Sequence, residues 1–98
     1  MTDYHIYLDD NAHICLEGQI DFSNVVKIRD SGIELMNAVS SVYIDLIGVK
    51  HADSSSLVLL IAWARAAKSQ HKRFQLLNIP IFLASLARAS GLDAILEI

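Results

Sequence analysis

The chain has 98 residues, of which 53% are hydrophobic and 19% charged, with a formal net charge of −3. That size and composition fit one folded domain and exclude a disordered segment, and the acidic balance excludes binding to nucleic acid by general electrostatic attraction. One cysteine, Cys15, excludes a disulfide framework and a cysteine-rich zinc site.

Tyr4, Ile6 and Leu8 alternate with His5, Tyr7 and Asp9, the period of a half-buried strand. Asp9-Asp10-Asn11-Ala12 is a polar turn. Ile14 and Leu16 then alternate with His13, Cys15 and Glu17, which predicts a hairpin whose second strand Gly18 ends or bulges. From Asp21 the period becomes helical. Asp21 or Ser23 can cap the helix, with Val25, Ile28, Leu35, Met36 and Val39 inward and Lys27, Asp30, Glu34 and Asn37 outward. Gly32 weakens that helix, because a mid-helix glycine costs about 1 kcal/mol relative to alanine.

Val42-Tyr43-Ile44-Asp45-Leu46-Ile47 reads as a central strand and Gly48-Val49-Lys50-His51-Ala52 as the loop behind it. A second helix is expected from about Ser54 to His71, with Leu57, Leu60, Ile61, Ala64 and Ala67 as its core stripe. Phe74 to Leu77 forms a short strand. Pro80 starts a third helix, Gly91 caps it, and Ile95 to Ile98 is expected to add a last strand. Two late strand-helix-strand links make the middle strands parallel. The fold class is α/β: an N-terminal hairpin plus parallel central strands in one mixed sheet, packed with about three helices, as a single unit over residues 1–98.

The junction Asp53-Ser54-Ser55-Ser56 sits at the carboxyl end of the central strand, where sites gather in open α/β sheets. One of these residues caps the following helix, and four capping-competent residues in a row suggest recognition or a switch as well. His51, Asp53 and Ser54 supply the residue types of a catalytic triad. They lie too close in sequence for its relayed geometry, and there is no nucleophile elbow. The remaining histidines, His5, His13 and His71, lack metal-ligand spacing, and the glycines form no phosphate loop. No enzyme, metal or cofactor is expected.

The second helix is apolar on faces beyond its core stripe, so it is either fully buried, with Trp63 packed under a loop, or meets a partner, with Leu59, Trp63 and Ala66 as a candidate docking stripe anchored by Trp63. Arg65, Lys68, Lys72 and Arg73 read as a solvated helix end favoured by the helix dipole. The first residues carry no signal-peptide pattern. The longest apolar run, Leu57 to Ala64, is far short of the roughly 20 residues of a membrane span, so a soluble, cytoplasmic protein is expected.

The segment Val42-Tyr43-Ile44-Asp45-Leu46 … Val49 … Asp53-Ser54-Ser55-Ser56-Leu57 resembles the signature of STAS domains. Gly18-Gln19-Ile20-Asp21 resembles that family's turn after the second strand, and Ser90-Gly91-Leu92 its C-terminal motif. The length, Trp63-Ala64-Arg65-Ala66-Ala67 and Asn78-Ile79-Pro80 look most like the small STAS subunits of Mla-type phospholipid ABC transporters. That resemblance implies a non-enzymatic accessory subunit. Its partner would be a cytoplasmic, MlaF-like ATPase subunit, bound through Asp53, Ser54, Ser55, Ser56, Leu59, Trp63 and Ala66. The alternative it implies is an anti-sigma factor antagonist, phosphorylated on Ser54 by an anti-sigma factor kinase.

Overall fold

A single carboxylate closes the first hairpin. Asp9 Oδ1 accepts the backbone N–H groups of Asn11 and His13 (both 2.9 Å), so the polar turn folds on a side chain of its own. The strands it joins, β1 (Tyr4–Leu8) and β2 (His13–Ile20), pair antiparallel with Leu8 opposite Ile14. This computed structural model describes residues 3–97.

Helix α1 (Val25–Met36) carries the chain from β2 to β3 (Val42–Ala52), and α2 (Ser55–Ser69) carries it on to β4 (Phe74–Leu77). Each helix is a crossover, so β2, β3 and β4 run parallel, in the sheet order β1-β2-β3-β4. Helix α3 (Ile81–Ala89) follows Pro80, which stands just ahead of the first turn. The mixed sheet with its parallel centre and three helices agrees with the sequence reading.

The core lies between the sheet and the helices. Ile14, Leu16 and Ile20 of β2 and Val42, Ile44 and Leu46 of β3 are buried against Ile28 and Met36 of α1 and Leu57, Leu60 and Trp63 of α2. Strand period and helix period therefore agree on a single interior.

Two segments depart from expectation. Gly48 to Ala52 is not a loop but the second half of β3, with Gly18 opposite Val49 and Ile20 opposite Ala52. Gly48, read as the first residue of that loop, sits where the sheet slips register: a Cβ there would lie 2.5 Å from Glu17 Cγ. The expected last strand at Ile95–Ile98 is instead a 3-10 helix, Asp93–Glu97, with Ile98 outside the described residues. Gly91, at φ 74°, turns the chain back, and the Leu92 N–H donates to Ala87 O (2.8 Å). Ile95 then reaches the core from that turn rather than from the sheet.

Candidate functional site

Strands β2 and β3 end side by side, so the loops that follow them open at one end of the sheet. The Asp53 N–H donates to Ile20 O (3.1 Å) and ties the second loop to the first strand's end. The Asp53 carboxylate then accepts the Ser55 N–H (2.8 Å) and also the Ser55 hydroxyl. The Ser56 hydroxyl donates to the Asp53 carbonyl (2.7 Å), and the Ser56 N–H donates to the same oxygen (3.1 Å). Asp53 therefore caps α2, although Ser54 holds the N-cap position and makes no side-chain capping bond.

The row of hydroxyls is thereby divided. Ser55 and Ser56 are buried and committed to the turn, whereas Ser54 is exposed. With its carboxylate bonded to Ser55, Asp53 orients no His51–Ser54 relay. Asp53→Ala should cost about 0.5–2 kcal/mol of stability, the usual range for losing a helix cap, as read by urea denaturation. A cost below a few tenths would mean that Ser54 or water takes over the cap.

The docking stripe read from the sequence faces inward. Trp63 is fully buried, Leu59 is 1% exposed and only lines the edge of a neighbouring groove, and Ala66 is half-buried, so the three form no exposed stripe. The Trp63 indole lies against Gly32 of α1, where a Cβ would come within 2.5–2.6 Å of Nε1, Cε2 and Cζ2. Its Nε1–H donates to Arg29 O (3.1 Å). Helix α2 is apolar on several faces because the sheet covers one and α1 another.

Apart from Ile47 of β3, the large exposed apolar residues among those described lie elsewhere at the same end. Phe22 is 76% exposed, Val26 53% and Val58 68%, and with Ala62 and Ser55 they line a groove of about 200 Å³ between the starts of α1 and α2. Ile81 and Phe82 are likewise exposed at the start of α3. Single exposed apolar residues are ordinary; five in the opening segments of three helices that start at one sheet end are not. Sequence reasoning missed Phe22 and Val26. The signal available was Phe22 itself, a bulky ring in a capping loop with no place in the helical stripe that follows.

Asp21 lies beside this surface. Its carboxylate accepts the hydroxyl and the N–H of Ser23. The Ser23 hydroxyl, most of all, holds its pKa below the ordinary 3.8, with the backbone N–H groups of Ser23 and Asn24 and the charge of His51 adding to it. A carboxyl depressed in the folded state adds stability above its unfolded pKa, and that stability is lost as the pH falls through the lower, folded value. Asp21→Asn should therefore flatten the acid limb of the stability curve below about pH 4 and leave neutral stability slightly reduced. An unchanged acid limb in thermal scans would contradict this.

On the sheet, burial and a hydrogen bond to Asp9 push the Cys15 thiol up to about 11, which keeps it protonated at neutral pH. Among the described residues no cluster of His, Cys, Asp or Glu could hold a metal, and no helix is long and apolar enough to cross a membrane.

A hairpin leading into parallel strands, with a serine loop starting the helix after the central strand, is the architecture of a STAS domain. A family model described as "Mlab, STAS domain" matches residues 7–97, and the chain belongs to that family. Among solved structures it is similar to the anti-sigma factor antagonist SpoIIAA in its unphosphorylated form. The TM-score there is 0.71 at 20% identity, over 93% of this chain and 83% of that one. It is also similar to an anti-sigma-factor antagonist (STAS) domain protein from Planctomyces limnophilus, with a TM-score of 0.65 at 19% identity over 96% and 86% of the two chains. At those identities the likeness is one of fold. No curated protein matches the chain.

Proposed function

We propose that this chain is a non-enzymatic accessory subunit of an Mla-type phospholipid-transport ABC transporter. It docks on the cytoplasmic face of the complex, on the MlaF-like ATPase subunit, and supports that subunit's assembly and activity in outer-membrane lipid asymmetry. The observation that carries the reading is the apolar groove of Phe22, Val26, Val58 and Ala62 beside the exposed Ser54, the kind of surface that a permanent partner covers. The MlaB-type description of the family model points to the same partner class. Asp53, Ser55 and Ser56 serve the interface by holding Ser54 at its edge, and Leu59, Trp63 and Ala66 serve it from beneath by fixing α2 against α1. Co-purification with an ABC ATPase subunit tests the reading. Ser54→Arg should abolish it, and an intact complex would place the interface elsewhere.

A second reading rests on Ser54 alone. As an exposed hydroxyl at a helix start, it is open to a kinase, which would make the chain an anti-sigma factor antagonist switched by phosphorylation. The Asp53 carboxylate and carbonyl already take the first N–H groups of α2, so an added phosphate would act by repulsion rather than by seating on the helix end. Incubation with a cognate anti-sigma kinase and ATP separates the readings. Phosphate transfer that Ser54→Ala abolishes favours the second, and its absence favours the first.

A further inference from the structure

Three of the eight Lys and Arg side chains of this acidic chain line one groove. Arg65, Lys68, Lys72 and Arg73 are four of its eight Lys and Arg residues, within nine positions. Arg65, Lys68 and Lys72 line, with His71, a groove of about 560 Å³ that Ala64 and Phe74 complete. Among the residues whose side chains are described, 3–95, no carboxylate lies within ion-pair distance of any of them. The Lys72 ammonium is held by Met36 O (2.7 Å), which fixes one wall of the groove. The negative end of the α2 dipole favours a cation in the last turn, but it does not account for a set of like charges sharing one concavity.

His71 adds an independent observation. It closes α2 in the left-handed conformation, φ 57°, with its N–H donating to Lys68 O (3.0 Å) and the Lys72 N–H donating to Ala67 O (2.9 Å). Gly91 does the same work at the end of α3, where glycine carries no strain. At the end of α2 the chain instead keeps a non-glycine residue, as it does at Ala12 and Asn78, and here that residue is one of those lining the cationic groove.

We propose that this groove binds an acidic segment of a partner protein. A concave site with Phe74 among its walls and cations around it suits an extended chain that carries carboxylates and an apolar side chain. A membrane surface fits less well. Among the residues whose side chains are described, none of the large exposed apolar ones (Phe22, Val26, Ile47, Val58, Ile81, Phe82) lines the groove, and interfacial helices need such residues among their cations. Nucleic acid fits less well because the chain as a whole is negative. The inference is independent of the function proposed above. Ser54 and Lys68 lie about 20 Å apart along α2, so both surfaces are open to occupation at once.

The test is fluorescence anisotropy at low ionic strength with a labelled glutamate-rich peptide carrying one phenylalanine. Binding should weaken about tenfold or more in Arg65→Glu/Lys68→Glu, and equally when glutamine replaces glutamate in the peptide. Lys27→Glu, outside the groove, should leave it within about twofold, which separates the site from general charge attraction. His71→Gly should raise the Tm by relieving the left-handed strain and still weaken the peptide, a combination that a purely structural histidine does not produce. No binding of the peptide, or equal loss in Lys27→Glu, overturns the proposal. So does tighter binding of phosphatidylglycerol vesicles or duplex DNA through the same two residues.

Discussion

Trp63→Ala should destabilise the protein by about 3–5 kcal/mol, the range for emptying a buried tryptophan site, and leave much of the chain unfolded at physiological temperature. Trp63 is fully buried, and its Nε1–H is the partner of Arg29 O, so the substitution removes packing and a hydrogen bond together. Gly32 makes the prediction specific. In an ordinary helix interior Gly→Ala gains about 1 kcal/mol. Here the new methyl would lie 2.5 Å from the indole, and overpacking of that kind costs about 1–3 kcal/mol. Gly32→Ala should therefore be neutral to destabilising alone, and should become stabilising in the Trp63→Ala background. Urea denaturation of the four proteins in that cycle reads the change of sign directly. If Gly32→Ala has the same effect in both backgrounds, the indole is not what requires the glycine.

The same pair marks the limit of what was legible in the sequence. Alternation in residues 4–20, the apolar run at Val42 to Ile47 and the helical stripes carried enough periodicity to give the element order and the parallel centre of the sheet. The serine loop was legible too, because a cap at a strand-to-helix junction is a local event. Orientation was not. Periodicity showed that α2 had several apolar faces, but which face meets water depends on where α1 lies. Gly32 and Trp63 were each noted for a separate reason, one as a defect and the other as a docking anchor. They are the hole and the knob of one contact, thirty-one positions apart in the chain. Gly48 misled for a related reason: a glycine that admits a crossing side chain at a bulge has the same local signature as one that ends a strand.

Relocating the apolar surface changes which substitutions test docking. Trp63→Asp would unfold the protein by burying a charge, and loss of a complex would then say nothing about the interface. Val58→Asp and Phe22→Asp are the informative variants. Both side chains are largely exposed, so each should shift folding stability by no more than about 0.5 kcal/mol, and an acidic residue near the start of α2 also suits the helix dipole. Each would place a charge in the groove of about 200 Å³ that a partner's apolar side chain must fill and desolvate. Loss of about 2 kcal/mol or more per site is ordinary at the centre of an interface, which corresponds to roughly 30-fold in Kd. Glu34→Lys, exposed at the far end of α1, should leave affinity unchanged. Titration of the ATPase subunit against each variant, with thermal scans alongside, separates docking from folding. Wild-type affinity in both Val58→Asp and Phe22→Asp would mean that the groove stays open in the complex, and that the partner meets the chain through Ser54 alone or on another face.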